Sequence, residues 1–282
     1  MEGIAEIFIM ILYGLVEGVT EWLPISSTGH LLILEKLIPL PLSPESLSAF
    51  RVFVQLAAVL AVIVLYWKQL WPWTAKGEIG KEQRKNTWKL WLYMVIATIP
   101  AGIVGYLVDD YIEEHFYHPI PVALALIIVA FLFLFVENKI RGREPRYHEM
   151  EELSWNLALI IGCAQVGAAV FPGVSRSGAC ILAALILGIA RPLAAEFSFL
   201  LAVPVMFGAS FLKLIRLETA PSTSEILYML IGAAVAFLVS ILTMRFLIGF
   251  VRRHEFKCFA FYRIALGAII ILMTLLQPAL LG

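Results

Sequence analysis

The sequence predicts an all-α polytopic membrane protein: six transmembrane helices plus two re-entrant helix–loop–helix segments, arranged as an inverted-topology repeat. Three observations carry this expectation. The 282 residues are 61% hydrophobic and only 15% charged, with a mean hydropathy of +0.90; soluble domains are about 45–50% apolar and about 25% charged. Six apolar stretches reach the roughly 20 residues that cross a bilayer as a helix. Two more apolar regions are broken midway by Pro, Gly and polar residues.

The elements follow in order. The first broken region covers about 4–42, and spans follow at roughly 50–67, 88–108 and 119–136. The second broken region covers 155–190, with spans at 196–215, 226–250 and 258–281. Non-helical backbone at membrane depth is tolerated only where protein or a wet cavity surrounds it, so both breaks should face inward. Lys68, Lys76, Lys81, Arg84, Lys85 and Lys89 mark 68–89 as cytoplasmic. Lys139, Arg141, Arg143 and Arg146 do the same for 137–153, and Arg252, Arg253 and Lys257 for 251–257. The link 109–118 carries Asp109, Asp110, Glu113 and Glu114 without Lys or Arg, so it should face out, as should 216–225 by alternation. Both termini then lie outside; the first broken region enters from outside and the second from inside. Trp67, Trp71, Trp73, Trp88 and Trp91 flank the first basic loop as interfacial anchors.

Each half therefore reads as one broken segment followed by three spans, in opposite orientations: pseudo-repeats of about 1–136 and 155–281 within a single domain, 1–282. A shift of 148 residues pairs Gly14 with Gly162, Glu17 with Gln165, Pro24 with Pro172, and Ser27 with Ser175. Inverted repeats with broken helices hold ligands near the midplane, at the repeat interface.

Composition also excludes. Net charge is zero and there is no extended basic tract, so nucleic acid is not expected as a partner. Cys163, Cys180 and Cys258 are an odd set in apolar surroundings, which is no disulfide framework. Glu2 and Glu6 stand where a cleavable signal needs basic residues, so the first helix is expected to be retained.

The chemistry lies in the two breaks. Glu17-Gly-Val-Thr-Glu21-Trp-Leu-Pro-Ile-Ser-Ser-Thr-Gly-His30 packs two carboxylates, three hydroxyls and an imidazole into an otherwise lipid-like region. Ionisable groups there mark function. Glu17 and Glu21 are four apart and share a helix face. Either one of them holds a proton, or a divalent cation with oxygen ligands bridges them. Ser26, Ser27 and Thr28 follow Pro24, where they either cap the next helix or present a hydroxyl to a base, with His30 as candidate acid or base. The second break, Pro172-Gly-Val-Ser-Arg-Ser-Gly178, offers Gly173 for close backbone approach, Ser175 and Ser177 as neutral donors, and Arg176 as a planar fork suited to phosphate oxygens. Arg176 is otherwise a structural partner for Glu17, Glu21 or Glu196. Glu196 either orients Arg176 or sits in an interface. Arg51, Lys213, Arg245 and Arg263 lie near predicted span ends and read as snorkelling. His115, His118, His148 and His254 show no metal-ligand spacing.

The strings EGVTEWLPISSTGH (17–30), FPGVSRSG (171–178) and EFSFLLAVP (196–204) closely resemble the bacterial undecaprenyl pyrophosphate phosphatases, also called bacitracin-resistance proteins. The resemblance covers essentially the whole chain in motif order and spacing. It implies a phosphatase of the bacterial cytoplasmic membrane, converting undecaprenyl diphosphate to undecaprenyl phosphate and inorganic phosphate, with a site open to the outer face. It implies a divalent ion, magnesium or calcium, on Glu17 and Glu21. Ser27 would be the nucleophile, His30 its base or acid, and Arg176 the phosphate clamp aided by Ser175, Ser177, Gly173, Ser26 and Thr28. Gln165 and Glu196 would support. The polyprenyl diphosphate, membrane lipids and a second copy of the chain are the expected partners. Three positions depart from the family pattern: Trp22 for Phe, Cys180 for Thr, and Arg51 where an acidic residue is common. The rival expectation is a transporter or flippase of a polyprenyl phosphate lipid, since broken inverted repeats are transporter features.

Overall fold

The protein is described by a computed structural model that covers residues 2–40, 42–73, 77–215 and 221–276. Lys76, residues 216–220 of one outward link and the end of the last span lie outside the described residues. The first broken region forms α1 (Glu2–Thr20) and α2 (Ser27–Leu37), followed by α3 (Pro44–Leu65) and the single turn α4 (Trp67–Leu70). α5 (Gly77–Phe116) and α6 (Pro119–Ile140) complete the first half. A 3₁₀ turn, Met150–Glu152, leads to α7 (Trp155–Val170) and α8 (Arg176–Ile186), the second broken region. α9 (Arg191–Ile215), α10 (Thr223–Val251) and α11 (Lys257–Leu276) follow. Among the described residues, an isolated β-bridge joins Tyr147 to Ile189.

Five of these helices, α5, α6, α9, α10 and α11, are long and apolar enough to cross a membrane. The sixth expected span is α3, 22 residues long, in which Ala49–Leu65 is an apolar stretch. α3 lies against α9 and α10, and Val52, Val54, Ala58, Val59, Ala61 and Val62 are buried by protein. α5 differs from expectation. Residues 109–116, read as an outward link, continue the helix, and so do 77–87 of the basic loop.

The core is built on α9, with Phe197, Phe199, Leu200, Leu201 and Ala202 buried. α1 packs on α10 and α7 on α5, while α3 meets α9 and α6 meets α11. Both broken segments dock through a bare backbone. A Cβ at Gly14 would fall 2.4 Å from the Gly232 carbonyl oxygen, and one at Gly162 would fall 2.2 Å from that of Ala97. Near the basic loops, the buried Glu137 carboxylate accepts from the Arg191 guanidinium and, at 2.8 Å, from the Phe256 amide. That carboxylate ties α6 to α9 and to the start of α11.

Candidate active site

Each broken segment turns at a serine. Among the described residues, Ser26 and Ser175 are the non-glycine residues with positive φ, both at 73°. The Ser26 hydroxyl accepts from the Gly29 amide at 3.3 Å, and that of Ser175 from the Gly178 amide at 3.2 Å. These are N-caps of α2 and α8. Past the breaks the halves therefore correspond as Ser26 with Ser175 and Gly29 with Gly178, a shift of 149. The expected pairing of Ser27 with Ser175 is off by one, because Gly14 to Ser26 is 12 positions and Gly162 to Ser175 is 13. Ser27 and Arg176 each open a helix, where free amides and the dipole favour an anion.

Glu21 joins the two segments. One carboxylate oxygen accepts from Ser27 Oγ at 2.8 Å; the other accepts from Arg176 at 3.1 Å. Both members of the Glu21–Arg176 pair are largely buried, at 12% and 13% side-chain exposure, so the pair is little screened. Arg176 also donates to the Ser198 carbonyl at 2.8 Å and lies over the Trp22 ring, 5.7 Å from its centroid. Trp22 is fully buried edge-on to Phe199, so the indole at this departure forms a wall beneath the guanidinium. Ser177 Oγ lies 3.3 Å from the carbonyls of both Glu21 and Leu23 and 3.0 Å from Ser175 Oγ.

The other expected residues divide. The His30 Nδ1–H donates to the Ser26 carbonyl at 2.7 Å, since a carbonyl can only accept. His30 Nε2 is then the acceptor for the Tyr262 hydroxyl at 2.7 Å. The ring stacks on Tyr262. The side chain in contact with the Ser27 hydroxyl is thus the Glu21 carboxylate, not His30. Glu17 is 1% exposed and neither of its oxygens has a partner. Gln165, its counterpart, donates to the Ala97 carbonyl at 3.2 Å and leaves its own oxygen unpaired. Thr28 is half-buried on the first turn of α2. Gly173 shapes the turn, with φ 103°, and a Cβ there would meet the Val122 carbonyl at 2.5 Å. Glu196 receives a bond from Gln69 at 2.8 Å; the α9 contact to Arg176 is the Ser198 carbonyl. Cys180 is buried. Arg51 forms a two-pronged pair with Glu35, at 2.9 and 2.8 Å.

Arg263 corrects an expectation. It does not snorkel: it is fully buried and donates to Pro24 O at 3.1 Å in the first turn. It also donates to Gly173 O at 2.8 Å and Val174 O at 3.1 Å in the second turn, and to Leu126 O at 3.2 Å on α6. One guanidinium thus staples both breaks together. Its sequence signal was a cation six residues inside an apolar helix.

Among the described residues no group of three or more His, Cys, Asp or Glu side chains could hold a metal ion. Glu17 and Glu21 fit a divalent ion only if it takes its remaining oxygens from substrate and water, as magnesium commonly does. The unpartnered Glu17 oxygens are the observation that favours a cation or a proton there.

This arrangement defines a class: a helical membrane protein whose buried polar centre joins two helix starts through a carboxylate–guanidinium pair. The chain belongs to the family described as bacitracin resistance protein BacA, whose model matches residues 10–269. It is 47% identical over 270 residues to the undecaprenyl-diphosphatase of Acetivibrio thermocellus, covering 96% of this chain and 98% of that protein. It is 45% identical to the undecaprenyl-diphosphatase of Desulfitobacterium hafniense, covering 96% of each chain. It is 42% identical to that of Enterococcus faecalis, over 95% of this chain and 97% of the other.

Proposed function

We propose that this protein hydrolyses undecaprenyl diphosphate to undecaprenyl phosphate and inorganic phosphate, which recycles a lipid carrier for cell-wall synthesis. The observation that carries the site assignment is the Glu21 carboxylate shared between Ser27 and Arg176. Glu21 is placed to take the Ser27 proton as Oγ attacks the terminal phosphorus. The bond from that phosphorus to the bridging oxygen breaks, and undecaprenyl phosphate leaves. Glu21 passes that proton to solvent; water then attacks the phosphoserine, and Glu21 takes the water's proton and returns it to Ser27 Oγ as phosphate leaves. Arg176 turns from Glu21 to the phosphoryl oxygens, whose charge it offsets together with the α8 amides. His30, three residues beyond Ser27 on the same helix face, is the second acid–base group: once Nε2 takes up a proton in place of the Tyr262 hydroxyl bond, that proton can pass to the departing lipid phosphate. A divalent ion held by Glu17 and Glu21 would supply further charge neutralisation on the diphosphate.

The finer architecture belongs to the same proposal: six spans and two re-entrant pairs in an inverted repeat, in the cytoplasmic membrane, with both termini and the site facing out. Its supports are the matched caps at Ser26 and Ser175, the matched glycine crossings, and the exchange of partners by which α1 meets α10 while α7 meets α5.

Purified protein in nanodiscs should release phosphate from undecaprenyl diphosphate and stop when a chelator removes divalent ions. Ser27→Ala and Arg176→Ala should each lower kcat by about 10²-fold or more, the scale seen when one charge-stabilising donor is lost. Full release by both variants would sink the assignment. Translocation of lipid phosphate across vesicles without hydrolysis would favour the transport reading instead.

A further inference from the structure

A lateral cavity of about 390 Å³ runs from Arg176 outward between α5, α7 and α9, within the size range of small-molecule sites. Its walls are mostly apolar and small, with Gly102 and Gly105 on α5, Ala169 on α7 and Gly208 on α9. These glycines differ in kind from Gly14 and Gly162. A Cβ at Gly102 or Gly208 would meet nothing within 4 Å. Close packing therefore does not require them, although glycine inside a helix costs about 1 kcal/mol against alanine; what they preserve is space. Gly102 and Gly208 are also exposed on the flanks of two helices apolar enough to cross a membrane. The cavity thus reaches the apolar flanks of these helices, with Lys213 as the one lysine in its described lining, and such a lining suits a lipid chain better than a water-soluble molecule.

The inner end is polar and incompletely paired. Gln165, only 2% exposed, lines the cavity with an unpartnered side-chain oxygen. Arg176 lines it with a buried, unpartnered Nε–H. An apolar groove that ends on a guanidinium matches a ligand with an anionic head and an apolar tail.

We propose that this groove holds the head-proximal units of the polyprenyl chain while the diphosphate sits at Arg176; this rests on the phosphatase reading above. The remainder of the chain leaves between α5 and α9 into the bilayer.

The test uses the full chain in nanodiscs and a farnesyl diphosphate analogue carrying a benzophenone on its chain. After irradiation, label is expected within 98–106 or 205–213 and should be displaced by undecaprenyl diphosphate but not by phosphatidylglycerol. Label elsewhere, or equal displacement by phosphatidylglycerol, would overturn the groove. In the Gly102→Phe/Gly208→Phe double variant, the ratio of kcat/KM for undecaprenyl diphosphate to that for isopentenyl diphosphate should fall about tenfold or more, the factor for roughly two lost methylene burials. An unchanged ratio would count against it. Labelling needs no turnover, so groove label without phosphate release from the unmodified protein would reject the phosphatase reading and keep the groove.

Discussion

Arg263 is the residue on which the site's geometry depends most. Its guanidinium is fully buried, and every hydrogen bond described for it goes to a backbone carbonyl. It therefore places a positive charge beneath an anion site while holding Pro24 and Gly173 at fixed separation. Arg263→Met removes both effects and leaves buried carbonyls unpaired, each at about 1–3 kcal/mol. The expected outcome is a lower Tm and at least a tenfold loss of kcat. Arg263→Lys restores the charge but not the fork, so it should recover KM more than kcat. A Met variant with native Tm and native rates would show that the staple is dispensable. The polar content of the site was legible residue by residue, because each group is expensive in an apolar chain. The pairing was not. Nothing in the spacing says that Ser27 bonds Glu21 while His30 turns to Tyr262, 232 residues away.

At the scale of elements, helices were legible from apolar runs but their ends were not. α5 begins at Gly77 and runs 40 residues, far past the apolar stretch. Glu, Lys, Gln and Arg are good helix formers, so leaving the bilayer gives such a helix no reason to stop. The breaks have local signals that sequence does show: Pro24 and Pro172 lie within them, and a serine caps each restart. The caps carry strain, since φ of 73° is unfavourable with a Cβ. Substituting the caps separates the two contributions. Ser26→Ala loses the cap and keeps the strain, so it should destabilise by about 1 kcal/mol or more. Ser26→Gly loses the hydroxyl but relieves the backbone and should cost only a few tenths. Thermal unfolding of the purified variants reads the difference. An alanine variant as stable as the glycine one would mean that the backbone at this turn stores no strain.

The whole molecule is governed by charge at its surfaces and by the pairing of its halves. α5 is about 60 Å long at 1.5 Å per residue, roughly twice the hydrocarbon thickness. Its Lys- and Arg-bearing first turns must therefore stand in water or headgroups on the side of Lys68, where Trp67, Trp71, Trp73 and Trp88 form a contiguous aromatic row. Arg253 and Arg143 belong to the other basic loops and are exposed. His118 lies at the opposite end of α5, in the short link to α6, and is also exposed. The inverted arrangement therefore makes a sharp expectation about sidedness. With the three native cysteines replaced, His118→Cys should react with a membrane-impermeant maleimide on intact spheroplasts, while Arg143→Cys and Arg253→Cys should not. Inverted vesicles should give the opposite pattern. The second break lies between Arg143 and Arg253 in the chain. If the region 155–190 crossed the membrane once instead of returning, two spans and that crossing would separate the two arginines, an odd number, and Arg253 would lie outside. His118 precedes the break and does not discriminate. Ser154, at the start of α7, tests the same point locally: a re-entrant second segment puts both Ser154→Cys and Ala190→Cys on the cytoplasmic side. Labelling of those two positions from opposite faces would remove the inverted repeat, and with it the account of why an arginine turn from one side meets a carboxylate turn from the other.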